Sequence, residues 1–343
     1  MEQMTRPATR KGSVRDIAAA TGLSIATVSR ALNAHPSVAA DTRDLVQRTA
    51  QRLRSAVRAE PDGRPPARQV VYVRCPYQLT DYFGLIVSSI AETLLLHGRH
   101  LLLDAGQVAQ NENVLPTLGA RTDIGGAVLI LPPEPSEELE HLRRDGFPFV
   151  VVDPRTPPPR DIPAVSAAHF GGARAVTAHL TALGHRRIGV VGGPHNWLAG
   201  QARLAGHTSA LADVGILADP ALVRSAEPTA ELGHRAAAEL LDLPDRPTAL
   251  VCFNDKAAVG ALAAATERGL RVPADLSVTG FDDIDLASAT TPRLTTVRQP
   301  LQEMGRIAVG LLVRLLDQHQ LEALHIELAT ELVVRESTGP VPA

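Results

Sequence analysis

The residues best suited to covalent or metal chemistry are not spaced for either. The 343-residue chain has two cysteines, Cys75 and Cys252, neither in a nucleophile context. Its twelve histidines are scattered, and the nearest approach to metal-ligand spacing is His97 and His100, three apart. Gly-x-Ser-x-Gly, Gly-x-x-x-x-Gly-Lys-Ser/Thr, Cys-x-x-Cys and His-Glu-x-x-His are all absent. Gly189-Val190-Val191-Gly192-Gly193 lacks the order of a dinucleotide loop and runs into Pro194. The chemistry that remains is recognition. Trp197, the single tryptophan, lies in the loop after Val191-Gly192-Gly193-Pro194, and an indole suits the apolar C–H face of a sugar ring. Tyr82, Phe83, Phe253 and Phe281 also fall at strand ends or in loops, and Asp153 follows the apolar run 147–152. Near the N-terminus, Ile25, Ala26, Ser29, Arg30 and Asn33 are left on the outward side of a short helix.

The elements that carry these residues are readable. Val14–Thr21 reads as a helix with Ile17 and its alanines inward, and Gly22 lets the chain leave it. Ser24 is a good N-cap for a second helix over 25–33, whose Val28, Ala31 and Leu32 face inward at i, i+3, i+4. Asp41-Thr42 can cap a third, with Leu45, Val46, Ala50 and Leu53 as its stripe. Two short helices around a glycine turn, backed by a third, describe a helix-turn-helix. Charge supports this division. The formal net charge is −3, but residues 1–60 carry ten basic and five acidic side chains, +5, leaving −8 on the rest. A basic head on an acidic body fits a polyanion-binding module joined to something else.

The run Val14-Arg15-Asp16-Ile17-Ala18 … Gly22-Leu23-Ser24 … Thr27-Val28-Ser29-Arg30-Ala31-Leu32-Asn33, then Val38 … Thr42-Arg43 … Val46, resembles the DNA-binding head of the LacI/GalR family of bacterial repressors. The resemblance implies that the second helix enters the major groove. Ile25 and Ala26 match the family's specificity positions, and both suit thymine methyls and base faces. Arg30 matches its base-reading arginine, a contact worth about 1–3 kcal/mol of discrimination through guanine O6/N7. Ser24, Thr27, Ser29, Asn33 and Thr42 are then placed for phosphate oxygens, which set register but not sequence. The pattern fails at the linker, residues 54–68, rich in Pro, Gly and Arg. The family's Gly-Tyr-x-Pro-Asn turn and hinge helix are replaced by Arg54-Ser55-Ala56-Val57-Arg58 and by Pro61, Pro65 and Pro66. A basic flexible linker is the expectation, although Leu53 and Val57 would form one ridge if the third helix ran on.

From residue 69 short apolar strands alternate with helices: strands 69–73, 100–104, 126–131 and 147–152, then 187–191, 222–223, 249–253 and 276–281. Helices are expected over 83–97, 136–145, 171–183, 200–213, 229–241 and 256–268. This argues for parallel sheets in two similar lobes, with ligands at the strands' carboxyl ends. Leu183-Gly184-His185-Arg186-Arg187-Ile188, Phe253-Asn254-Asp255, Val278-Thr279-Gly280-Phe281-Asp282-Asp283-Ile284 and Pro292-Arg293-Leu294-Thr295-Thr296-Val297 resemble the same family's effector domain. That domain has the fold of periplasmic sugar-binding proteins. The implied fold is a small all-α head joined to a Rossmann-like, two-lobed α/β body. The domains are then a head over 12–53, a linker over 54–68, and a body over 69–338. Lobe N takes about 69–165 and 294–322, and lobe C about 166–292 and 323–338. Crossings fall near 165, 293 and 323. Arg203, Asn254, Asp255 and Asp282 match the family's polar ligand contacts, and Asp283 reads as a helix cap. With Tyr82, Phe83, Asp153, Trp197 and Phe281 they form the expected ligand site. The resemblance implies no cofactor and no catalysis. It implies a small-molecule effector, expected to be a carbohydrate, a double-stranded DNA operator, and a homodimer. No apolar run reaches a membrane span and no secretory signal is visible, so a cytoplasmic location is expected.

Overall fold

The computed structural model describes residues 14–21, 23–32, 38–57, 69–106, 109–110 and 112–342. The chain divides into two compact units, Met1–Pro66 and Ala67–Ala343. The first contains α1 (Val14–Thr21), α2 (Ile25–Leu32) and α3 (Ala40–Val57). Ile17, Ala18, Val28, Ala31, Val38, Val46 and Ala50 form its buried core. The Ser24 hydroxyl accepts the Thr27 N–H at 3.1 Å, so the expected cap of α2 is formed. The third helix starts at Ala40, ahead of the expected Asp41-Thr42 cap. Asp41 therefore lies in its first turn, where a carboxylate complements the helix dipole. Leu45, expected in the core, is 43% exposed. Val46 and Ala50 hold the buried line, and Leu45 sits about 100° round the helix from Val46. α3 also runs to Val57, so residues 54–57 are helical and not linker. Residues 58–68, the rest of that linker, lie outside the described residues.

The second unit holds two parallel sheets. β1 (Val70–Cys75), β2 (His100–Ala105), β3 (Ile124–Ile130), β4 (Phe149–Val152), β5 (Ala164–Ala167) and β11 (His325–Leu328) form one, in the order β11-β5-β4-β3-β1-β2. β6 (Ile188–Gly192), β7 (Val223–Ser225), β8 (Ala249–Cys252) and β9 (Ser277–Thr279) form the other, ordered β7-β6-β8-β9. β10 (Thr296–Arg298) and β12 (Glu331–Val333) make an antiparallel pair tied to β9 through bridges at Thr279–Thr295 and Asp282–Arg298. The helices are α4 (Asp81–Leu96), α5 (Leu115–Leu118), α6 (Ser136–Arg144), α7 (His169–Ala182), α8 (Leu198–Asp213), α9 (Ala230–Leu241), α10 (Asp255–Glu267), α11 (Asp285–Ala289) and α12 (Leu301–Leu316).

Strands such as β3 and β4 are buried along their whole length, which is why they read as unbroken apolar runs. Two lobe boundaries differ from the sequence expectation. Thr296 pairs with Val333, which keeps the chain in the second lobe to about residue 298. β11 adds to β5, Ala164 opposite His325, which keeps it in the first lobe to 328. The last two crossings thus fall near 299 and 329. Strand pairing between residues far apart in sequence decides both, and no local pattern carries it. Between them lies α12, whose Leu301, Met304, Ala308 and Leu312 pack against Val73, Ile86, Val128 and Val150 in the first lobe's core.

Helix pairs cross closely at glycines. A Cβ on Gly206 of α8 would stand 2.3 Å from the Phe170 carbonyl oxygen of α7. This crossing sets the distance between two helices that carry site residues.

Candidate functional site: the cleft and the head

Because every strand in each main sheet is parallel, the carboxyl ends gather on one side. β4 delivers Asp153 there, the loop after β6 delivers Trp197, β8 delivers Phe253 and Asn254, and the chain after β9 delivers Asp282. They line a cavity of about 390 Å³ between the two lobes of the body. Of the residues expected from sequence, Tyr82, Phe83, Asp153, Trp197, Arg203, Asn254 and Asp282 line this cavity.

Asp255 and Phe281 do not. The Asp255 carboxylate turns into the second lobe, accepting the Ile284 N–H at 3.0 Å and the Thr296 hydroxyl at 2.5 Å. It is fully buried, and burial together with Asp282 pushes its carboxyl well above the usual range. Phe281 is 2% exposed and packs under the Arg203 guanidinium. The helix cap is Asn254, whose Oδ1 accepts the Ala257 N–H at 2.9 Å. Asp283 caps nothing: it pairs with Arg298 at 2.7 Å and Arg335 at 2.6 Å.

The cleft floor is one connected polar network. Tyr82 donates to Asp153 Oδ2 at 2.8 Å, and His169 Nε2 lies 2.7 Å from Asp153 Oδ1. His169 Nδ1 lies 3.3 Å from Arg203 Nη2. Arginine can only donate, so Nδ1 accepts and the imidazole proton sits on Nε2, pointing at Asp153. Arg203 continues to the Phe253 carbonyl and to Asp282 at 3.7 Å, and Gln299 donates to Asp282 Oδ1 at 2.6 Å. The guanidinium lies between the Phe253 and Phe281 rings, 4.4 and 3.7 Å from their centroids. Burial works to raise the Asp153 carboxyl, but His169, Tyr82 and Arg203 outweigh it and hold it below the usual range. At Asp282 burial wins over Arg203 and Gln299, and the carboxyl is pushed up to about 7. Asp153 and Asp282 have φ of 50° and 116°, backbone that glycine favours. Such strain in non-glycine residues is held where the surroundings over-determine it, typically at a ligand site.

Above the floor is an aromatic belt. Tyr77 stacks on Phe83 at 4.7 Å, and Trp197 meets Tyr77 and Phe253 edge-on, each at 6.2 Å. Contacts join the lobes across the opening. Lys256 Nζ donates to Thr80 Oγ1 at 2.8 Å, and the Leu198 N–H donates to the Arg155 carbonyl at 2.7 Å. Sequence reasoning missed Tyr77, Gln78, Thr80, Gln110, Glu227, Thr229 and Lys256 on the wall and His169 in the floor. Tyr77 and Glu227 each lie two residues past a strand, a signal the strand-end rule offers. Gln110 gives none.

In the head, Ser24 and Ile25 at the start of α2 are exposed, Ile25 by 53%, while Thr27 and Thr42 are half-buried. An isoleucine left half in water on a short helix is a surface ready for apolar contact. Ala26, Ser29 and Arg30 lie on α2, but their side chains are outside the described residues, as is Asn33 altogether.

Among the described residues no helix is long and apolar enough to cross a membrane. Residues 13–54 match the family model for bacterial regulatory proteins of the lacI family, and residues 177–338 match the periplasmic binding protein-like domain. The HTH-type transcriptional repressor CytR of Escherichia coli (strain K12) is 33% identical over 339 residues, covering 96% of this chain and 97% of that protein. Among solved structures, the transcriptional regulator CelR–cellobiose complex superimposes with a TM-score of 0.73 at 30% identity, over 95% of this chain and 99% of that one. The Lac repressor dimer bound to operator and the anti-inducer ONPF gives 0.70 at 26% identity, over 95% and 99%. These relatives are transcriptional regulators and not enzymes. Matched in both modules, and aligned with a repressor along nearly its whole length, the chain belongs to the LacI family of bacterial transcriptional regulators.

Proposed function

We propose that this chain is a cytoplasmic, ligand-responsive repressor that binds a near-palindromic DNA operator as a homodimer. A small molecule in the body's cleft, a sugar, shifts the population of the DNA-competent dimer. The observation that carries this reading is the presence in one chain of a cleft with a connected polar floor and an aromatic belt and of a separate helix-turn-helix head. Carboxylates and a guanidinium pair with vicinal hydroxyls, and a site built so rejects analogues lacking them. The cleft contacts are Tyr82, Phe83, Asp153, Trp197, Arg203, Asn254 and Asp282. In the head, Ile25, Ala26 and Arg30 read bases, while Ser24, Thr27, Ser29, Asn33 and Thr42 hold phosphates.

Two features favour the homodimer. β2 is an edge strand that leaves Leu102 and Leu103 exposed, and α4, which packs on that sheet, leaves Leu95 and Leu96 exposed. The Lac repressor dimer bound to operator points the same way, and the cellobiose bound to CelR supports a sugar as the cleft ligand.

Operator titration at increasing salt tests the DNA half. Affinity should fall linearly with log salt and should depend on sequence. Affinity indifferent to both would refute it. Adding the cleft ligand should change operator affinity in the full chain but not in a head-only fragment. An unchanged operator affinity in the full chain would refute the regulatory half.

A further inference from the structure

Resting on the reading of the cleft as a sugar site, we infer that the effector is an uncharged disaccharide, held at two subsites, one on the buried floor and one at the exposed rim. Four observations converge: volume, graded exposure, two separate sets of hydrogen-bonding groups, and charge.

The cavity measures about 390 Å³ with the lobes already joined by Lys256–Thr80 and Leu198–Arg155. At the density of organic crystals, a hexose fills about 190 Å³ and a disaccharide about 360 Å³. One hexose would leave half the space to water. The polar groups fall into two sets. Asp153, Arg203 and Asp282 are each under a tenth exposed and form the floor. Gln78, Gln110 and Glu227 are exposed and stand at the rim. The aromatic side chains Tyr77, Trp197 and Phe253 lie on the wall with both sets, and an aromatic wall suits the apolar faces of pyranose rings.

On the floor both Asp153 oxygens and the Oδ1 of Asp282 already have partners, whereas Asp282 Oδ2 and the buried Arg203 Nε and Gln299 Oε1 are left for a sugar's hydroxyls. The rim offers a second set of groups, these exposed. Among the described residues, the side chains of Gln78, Gln110 and Glu227 have no hydrogen-bond partner. Two amides and a carboxylate supply donors and acceptors in the mixture that a ring of hydroxyls needs. One ring on the floor would leave these three unused.

Charge disfavours a phosphorylated sugar. The cavity is lined by three carboxylates, Asp153, Glu227 and Asp282, against two cations. Both cations are engaged: Arg203 with Phe253, His169 and Asp282, and Lys256 with Thr80. A phosphate would add its charge beside Asp153 and Glu227, and beside Asp282 as that carboxyl ionises near pH 7.

The test is calorimetric titration of the full-length protein with cellobiose, maltose, trehalose, melibiose and sucrose, against glucose and glucose 6-phosphate. At least one disaccharide should bind about a hundredfold tighter than glucose, and glucose 6-phosphate should bind more weakly than glucose. Glu227→Gln and Gln78→Ala should each weaken the disaccharide about tenfold and leave glucose binding unchanged, because they touch only the outer ring. Both side chains are exposed, so neither change threatens folding. Glucose binding as tightly as every disaccharide, a preference for glucose 6-phosphate, or equal losses for both sugars in Glu227→Gln would each overturn the inference while leaving a sugar site standing. Binding of a nucleoside such as cytidine with no saccharide bound would overturn the sugar reading itself, and with it the inference.

Discussion

Gly206→Ala tests how the floor is held together. The added Cβ would lie 2.3 Å from the Phe170 carbonyl oxygen and 3.0 Å from the Arg174 backbone nitrogen. These are backbone atoms of α7 and cannot swing aside, so α7 and α8 must part by about 1 Å to reach ordinary contact. α7 carries His169 and α8 carries Arg203, whose nitrogens are 3.3 Å apart. One further ångström ends that hydrogen bond. Overpacking costs about 1–3 kcal/mol, and losing a charge-assisted bond in a buried network about 1.5–3 kcal/mol. Alanine returns about 1 kcal/mol in helix propensity. The net is a loss of about 3 kcal/mol, or a fall in Tm of about 6 °C or more.

Gly310→Ala is the control. It sits mid-helix in α12 with nothing within 4 Å of the added Cβ, so it should stabilise by up to about 1 kcal/mol. The assay is urea unfolding followed by fluorescence of Trp197, the only tryptophan, which reports the body alone. Opposite signs for the two variants are expected, with weaker ligand binding in Gly206→Ala. Equal stability of Gly206→Ala and the parent protein would refute the close-approach reasoning.

Other outcomes follow from the same structure. Arg30→Ala should cost about 1–3 kcal/mol of operator discrimination while leaving ligand titrations unchanged, and equal loss of both would point to a misfolded chain. His207 is buried and bonded to Thr177 at 3.0 Å, and burial lowers its pKa to about 4. The native state therefore refuses a proton that the unfolded chain takes up near pH 6.5. Stability is full above that pH and is lost as pH falls from 6.5 toward 4, by about 3 kcal/mol at the end. In His207→Gln this acid-sensitive component should vanish from the difference between unfolding curves at pH 7 and pH 4.5; an undiminished difference would exclude His207 as its source. For Asp282 the sign is opposite. Its folded pKa of about 7 exceeds the unfolded ~3.9, so the carboxylate destabilises the body as pH rises between these values. Asp282→Asn should gain more, relative to the parent, at pH 8 than at pH 5, and a pH-independent difference would contradict this.

How much was legible depended on where the information lies. Strands 126–131, 147–152 and 249–253 were readable because parallel strands buried on both faces leave continuous apolar runs. β11, His325–Leu328, alternates exposed and half-buried positions and looks like any surface stretch. Only pairing with β5, some 160 residues away, makes it a strand. The strand-end rule led to Asp153 and Trp197 and the family resemblance to Asn254 and Asp282, and both failed by single residues. Asn254 stays in the loop facing the cleft, whereas Asp255 begins a helix and points inward. Phe281 and Asp282 are neighbours that face opposite ways, one to the core and one to the cleft. The rim residues Gln78, Gln110 and Glu227 are ordinary surface residues until the two lobes bring them together.

The return of the chain to the first lobe has a consequence for synthesis on the ribosome. Residues 70–167 emerge early, yet their core lacks α12 and their sheet lacks β11 until the chain has reached residue 328. The second lobe likewise waits for β12 at 331–333. Neither lobe can be completed on a partial chain, because its late-emerging pieces close the loops of largest sequence separation. The head needs only local contacts within residues 14–57. A message cut short would therefore yield a folded helix-turn-helix unit attached to an unfinished body.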